Sequence, residues 1–173
     1  MYPGEEPARF TWIIQSYDTA NKTSELSDYS VCITWGIIDN KYYVLDVVRK
    51  KLNYPDLKRM VKEQAEKFKP NTILIEDKAS GTQLIQELQS EGVYAVTAYC
   101  PPPGSDKPMR LHAQSAAIEN GRLILPTYAP WLDDYVKELT GYPGTKHDDQ
   151  VDATTQALEH LQNRSVTIFD SMD

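Results

Sequence analysis

Residues 72–78 read Thr72-Ile73-Leu74-Ile75-Glu76-Asp77-Lys78, and what flanks this stretch decides the fold. An apolar run this short, rich in β-branched residues and ending in a block of charge, is a buried strand whose last residue meets solvent. Before it, Leu57, Met60, Val61, Ala65 and Phe68 recur at helical spacing between Pro55 and Pro70. After it, Leu84, Ile85 and Leu88 share one helical face over residues 80–89, with Gly92 beyond the end. Residues 94–99 form a further strand. Helix, strand, helix, strand supports crossovers that lay these strands parallel.

Upstream the pattern differs. Phe10 to Tyr17 is an aromatic and branched run that delivers Asp18 at its end. Val31–Ile38 and Tyr42–Val48 are two more strands, joined through Asp39-Asn40-Lys41 as a hairpin. The expected class is therefore α/β, with a mixed central sheet: three antiparallel strands, then parallel ones, flanked by helices. Pro101-Pro102-Pro103-Gly104 interrupts regular structure, and a helix resumes over Lys107–Asn120, capped by Gly121. A short apolar segment Leu123–Leu125, a helix Trp131–Leu139, a loop Gly141–Thr145 and a final helix from about Asp148 to Leu161 complete the chain. Residues 1–9 read as a leader or linker remnant, 10–162 as the domain, and 163–173 as a disordered tail.

A length of 173 residues suits one domain with its own core. No apolar stretch approaches the roughly 18 residues of a membrane span, and the start of the chain carries no signal-peptide pattern, so an intracellular protein without a membrane partner is expected. Cys32 and Cys100 lack paired metal-site spacing and read as buried reduced thiols. Trp12, Trp35 and Trp131 read as packing residues. A net charge of -7 argues against nucleic acid for the chain as a whole. Clusters at Arg49–Lys51, Lys58–Lys69 and Lys107–Arg110 nevertheless offer local positive surfaces. Gly81 alone does not make a P-loop, which excludes nucleotide hydrolysis by this chain.

The informative residues are acids at element ends: Asp18, Glu76, and the run His147-Asp148-Asp149-Gln150-Val151-Asp152-Ala153. Each has an ordinary explanation, as a turn residue, a solvated strand end or acids complementing a helix N-terminus. The helix-terminus account does not require Asp152, which lies on one face with Asp149. Carboxylates converging from separate elements repel one another unless protonated or neutralised by a cation. An all-oxygen donor set favours Mg²⁺ or Mn²⁺, and two such ions about 3.5–4 Å apart are the apparatus of phosphodiester hydrolysis. His147 is open between metal ligation, proton transfer, phosphate contact and starting the helix. Lys78, Lys107, Arg110 and Lys146 are candidates for contacts to a nucleic-acid backbone, with a salt bridge to Asp106 as the alternative for Lys107 and Arg110.

Ser16-Tyr17-Asp18-Thr19-Ala20, Ile75-Glu76-Asp77-Lys78-Ala79-Ser80-Gly81, Asp106-Lys107-Pro108-Met109-Arg110-Leu111 and the run from His147 to Ala153 together resemble the C-terminal nuclease domain of tailed-phage terminase large subunits. The last of these is the most specific. The resemblance implies a ribonuclease H-like fold related to RuvC-type resolvases. It also implies cleavage of concatemeric double-stranded viral DNA during genome packaging, in the cytoplasm of a bacterial host. Carried over motif by motif, Asp18 is the metal-bridging carboxylate, Glu76 the second ligand, and Asp149 and Asp152 the helix-borne ligands of two Mg²⁺ or Mn²⁺ ions, with Asp148 a possible addition. In a full-length terminase an N-terminal ATPase domain, a portal protein and a small subunit are the partners. The ATPase motifs do not occur in this chain. A RuvC-like junction resolvase and a catalytically silent DNA- or portal-binding module are the alternatives.

Overall fold

A computed structural model describes residues 7, 9–20, 28–78 and 80–170, with side chains to 164. Most of the expected leader lies outside them. The central strand β1, Trp12–Asp18, pairs antiparallel with β2, Ser30–Ile38, which pairs antiparallel with β3, Lys41–Lys50. The hairpin between β2 and β3 turns on Asp39 and Asn40, with φ of 49° and 62°. Two successive left-handed residues match the twist of a two-residue hairpin, and Asp and Asn tolerate that region.

The chain then alternates as its periodicity requires: α1 (Tyr54–Phe68), β4 (Thr72–Glu76), α2 (Ser80–Ser90) and β5 (Val96–Tyr99). Asn53 caps α1 by accepting from Asp56 N at 2.9 Å. Both β4 and β5 are parallel to their neighbours, giving the order β5-β4-β1-β2-β3-β6 once β6 (Leu123–Ile124) adds parallel to β3. Three helices complete the chain: α3 (Lys107–Glu119), α4 (Leu132–Gly141) and α5 (Asp149–Asp170).

Strands β1 to β4 divide their side chains between two cores, as a period of two demands. Ile14, Ile33, Trp35 and Leu74 pack under α4 and α5. Tyr17, Cys32, Ile73 and Ile75 pack under α1 and α2. Two polar side chains of β1 bond across to their neighbours: Gln15 Nε2 donates to Thr34 Oγ1 at 3.2 Å and Gln64 O at 3.0 Å, and Ser16 Oγ accepts from Trp35 Nε1 at 3.1 Å. Ala153 and Ala157 are fully buried and let α5 approach the sheet, where Gln156 Nε2 donates to Leu74 O at 3.1 Å. That seating aims the first turn of α5 at the ends of β1 and β4.

Several expectations change. Residues 94–95 do not join β5, and Tyr94 is 88 % exposed. Helix α5 continues beyond Asn163 to Asp170 where a tail was expected. Cys100 is exposed, whereas Cys32 is buried and its thiol is pushed up to about 12 by that burial. The tryptophans pack as expected, Trp35 completely and Trp12 and Trp131 against the α5 core. Among the described residues no helix is long and apolar enough to cross a membrane.

Candidate metal centre

Because β1 and β4 run parallel in the register Tyr17↔Ile75, the next residues, Asp18 and Glu76, emerge side by side at the carboxyl ends of the strands. Helix α5 starts above them. Its first turn is fixed from α4, where the buried Glu138 accepts from Val151 N at 3.1 Å, satisfying an amide that the helix itself leaves unpaired. Burial raises the Glu138 carboxyl, opposed by its hydrogen bonds to Gln150 and Val151. Asp152 N donates to Asp148 O at 2.9 Å, closing the first turn with Asp149 and Asp152 both over the strand ends.

Opposite, the connection from β4 to α2 passes very close to its own strand. A Cβ on Gly81 would lie 2.1 Å from Glu76 O, so only glycine fits there. Ser80 Oγ donates to Ala20 O at 2.8 Å, and Ala20 N donates to Ser30 Oγ at 3.1 Å, tying the segment after Asp18 to two elements.

These elements enclose a cleft of about 260 Å³, lined by Asp18, Glu76, Asp148, Asp149 and Asp152 together with Lys78, Lys107 and Arg110. Asp18 lies deepest. Its pKa stands well above the ordinary carboxylate value, through burial first and then the charges of Asp152 and Asp149; Lys107 opposes this and Glu76 adds to it. Burial also raises Asp149, against the Arg49 guanidinium, and Asp152, against its hydrogen bond from Lys107.

The donor set fits a hard divalent cation. All its candidate ligands are carboxylate oxygens, and Asp149 Oδ2 is buried without a hydrogen-bond partner, the nearest cation, Arg49, being 4.0 Å away. Among the described residues, however, no three acidic, His or Cys groups are already closed around one point. Lys107 Nζ stands 2.6 Å from Asp152 Oδ2 and 3.0 Å from Asp148 Oδ2.

Of the residues expected from sequence, Asp18, Glu76, Asp148, Asp149, Asp152, Lys78, Lys107 and Arg110 meet in this cleft. Lys146 is exposed and lies off its lining, and the half-buried His147 packs edge-on against Tyr29 at 5.2 Å between ring centroids. Lys107 does not pair with Asp106, which caps α3 by accepting from Met109 N at 2.9 Å. The sequence reading missed Asp28 and Tyr29, which line the cleft, and did not connect Arg49 to it. Arg49 lies over the Tyr29 ring at 3.7 Å. The only sequence signal for that corner was the basic cluster at the end of β3.

A mixed sheet with three antiparallel strands followed by parallel ones, acids at the ends of its first and fourth strands, and a helix bringing further acids over them define a ribonuclease H-like fold. Within it, a family model described as the terminase RNase H-like domain matches residues 15–161, and the chain belongs to that family. No curated protein matches the chain.

Solved structures agree on the fold. The large terminase nuclease from thermophilic phage G20c with bound magnesium is 16% identical, with a TM-score of 0.69 over 89% of this chain and 82% of that one. Structures of the same nuclease contain zinc or cobalt. The large terminase of thermophilic bacteriophage D6E is 14% identical, with a TM-score of 0.67 over 91% of this chain. This chain spans only 41% of that terminase. A Fowlpox virus resolvase in complex with Holliday junction DNA is 12% identical, with a TM-score of 0.54 over 87% of this chain and 97% of the resolvase.

Proposed function

We propose that this domain is a divalent-metal-dependent endonuclease that cuts double-stranded viral DNA during genome packaging in the cytoplasm of a bacterial host. The observation that carries this reading is the gathering of Asp18, Glu76, Asp149 and Asp152 in one cleft of a terminase-family chain, with Asp18 pushed up by its acidic neighbours. In a packaging terminase the domain would act with an N-terminal ATPase domain, a portal protein and a small subunit.

Two Mg²⁺ or Mn²⁺ ions would supply the chemistry of this donor set, activating water and stabilising the departing 3′ oxygen. Asp18, whose carboxyl feels the charges of both Asp152 and Asp149, would hold metal together with them. Glu76 holds the strand side, and Asp149 and Asp152 the helix side, with Asp148 next to them. Asp149 contributes the buried oxygen that lacks a hydrogen-bond partner. No side chain acts as a nucleophile. Lys78 and Arg110 line the cleft and would position phosphates, with Lys146 outside it, so binding should depend steeply on salt and little on sequence.

Plasmid cleavage in Mg²⁺, Mn²⁺ or EDTA tests the reading, comparing the wild type with folded Asp18→Asn and Asp152→Asn variants. Metal-dependent nicking and linearisation should disappear in both. Cleavage that survives both substitutions would remove these carboxylates from the mechanism, and a wild type that binds DNA without cutting it would favour a silent binding module. The likeness to a Holliday junction resolvase supports a second reading, for which four-way junctions would be cut in preference to linear duplex.

A further inference from the structure

Lys107 is an odd residue for its position in the helix. It opens α3, whose first turn contains no acid and also carries Arg110, so two cations sit at the end of the macrodipole that disfavours them. Helix stability does not explain this arrangement. What Lys107 contacts does: its ammonium lies between Asp148 and Asp152, 3.0 and 2.6 Å from their nearer oxygens. A lysine ammonium is charged at neutral pH, so both contacts are ion pairs.

From this geometry we infer that Lys107 is an exchangeable counterion, which neutralises the helix side of the cleft until a divalent metal displaces it. The inference rests on the metal-dependent reading above. A metal ion bound to Asp152 needs its oxygen at about 2.0–2.6 Å, in the space the ammonium now shares. Two cations repel at that distance, so a metal bound at Asp152 Oδ2 displaces the ammonium from that oxygen. The site thus has a closed state, in which Lys107 holds Asp148 and Asp152, and an open state, in which the two carboxylates are available. Metal measures only the open fraction, and its apparent affinity is reduced accordingly. Lys107 is the first residue of α3, next to the Asp106 cap and just after the Pro101–Gly104 break.

Calorimetric titration of Mn²⁺ into the DNA-free protein tests this without reference to cleavage. Lys107→Met keeps most of the side-chain volume and removes the charge. Its Mn²⁺ affinity should rise by about tenfold or more, the closed state having been lost. Lys78→Met removes a charge from the same cleft, but from a residue with no ion pair to Asp148 or Asp152, and should shift affinity less. Equal shifts in the two variants would reduce Lys107 to a general field effect and overturn the inference. Unchanged or weaker Mn²⁺ binding by Lys107→Met would overturn it while leaving the metal centre intact. Absence of Mn²⁺ binding by wild type and variant alike would overturn both the inference and the metal-dependent reading. Melting in EDTA and in saturating Mn²⁺ supplies the check on folding: the metal-induced rise should be larger in Lys107→Met than in the wild type, and an equal rise counts against the exchange.

Discussion

Two clusters of charge in this molecule are built on opposite terms. Between α1 and α2, Lys58 and Lys62 face Glu87 and Glu91, cation for anion, with Lys58 bridging both glutamates and Lys62 held by Glu91. Tyr54 adds a hydrogen bond to Glu87 Oε2 at 2.8 Å. Glu87 is held below the ordinary carboxylate value by Gln83 and Tyr54, and Glu91 by Lys58 and Lys62. In the cleft, Asp18, Asp28, Glu76, Asp148, Asp149 and Asp152 outnumber the cations around them, Lys78, Lys107 and Arg110 on the lining and Arg49 beside Asp149, and Asp18, Asp149 and Asp152 are pushed upward. A balanced cluster is complete as it stands. The unbalanced one is relieved only by a proton or an added cation, the pattern expected where a fold gives up stability for chemistry.

The largest break in this comparison should come from removing one of the proposed ligands. Asp152→Asn is expected to lower metal-dependent plasmid cleavage by more than the roughly 10–100-fold that an outer-shell partner contributes to a metal site. A milder loss would place Asp152 outside direct coordination. Gly81→Ala attacks the same site through the backbone. Its Cβ cannot coexist with Glu76 O, so the end of β4 or the start of α2 must move. Overpacking of this kind costs about 1–3 kcal/mol, and cleavage should fall because Glu76 shifts with its carbonyl. Wild-type melting and cleavage in Gly81→Ala would show the approach to be looser than the structure has it.

The sign of the pH dependence sharpens the contrast further. Asp18 has a folded pKa above its unfolded one. Its contribution to stability is therefore fully present below the unfolded carboxylate value and is lost as pH rises through the folded value. In EDTA at neutral pH, Asp18→Asn should melt higher than the wild type, at about 2–4 °C for each kcal/mol relieved, and the gain should fade on acidification toward the ordinary carboxylate range. Saturating Mn²⁺ should reverse the order. Glu91, with a lowered folded pKa, contributes stability above its unfolded value that is lost as pH falls, so Glu91→Gln should melt lower at neutral pH. The same sign for both substitutions would abolish the distinction between the clusters.

How far the sequence carries this picture depends on distance along the chain. Asp18, Glu76 and the acids of α5 were legible because each ends or opens an element whose periodicity is local, and a mixed sheet brings the carboxyl ends of parallel strands together. The hairpin turn at Asp39-Asn40 was legible for the same reason. The pairing of Lys107 with Asp148 and Asp152 spans 41 and 45 residues and depends on how α3 crosses α5, which no local pattern encodes. Arg49 reaches Asp149 and Tyr29 only because β3 extends to Lys50, beyond the last apolar residue that marked the strand. The basic run from Lys58 to Lys69 misled in the opposite direction. Read as a positive surface, it is largely engaged in ion pairs with α2, with Asp56 and with Asp46.

That last point yields the smallest expected effect and the most direct test of where DNA does not bind. Lys58 is the hub of the α1–α2 cluster, and Lys58→Met leaves two glutamates short of a cation on the protein surface. Its melting temperature should drop slightly at low ionic strength, and the difference should vanish near 1 M salt, where charges are screened within about 3 Å. Surface pairs of this kind contribute little, because the attraction is set against the entropy of two long side chains. Metal-dependent cleavage and DNA affinity should match the wild type, since the lysine is already neutralised by its own chain and lies away from the cleft lining. A clear loss of DNA affinity in Lys58→Met would mean that a phosphate competes successfully with Glu87 and Glu91 for this ammonium. The α1–α2 surface would then be a second nucleic-acid contact, and charge balance in the free protein would no longer distinguish a finished surface from a working one.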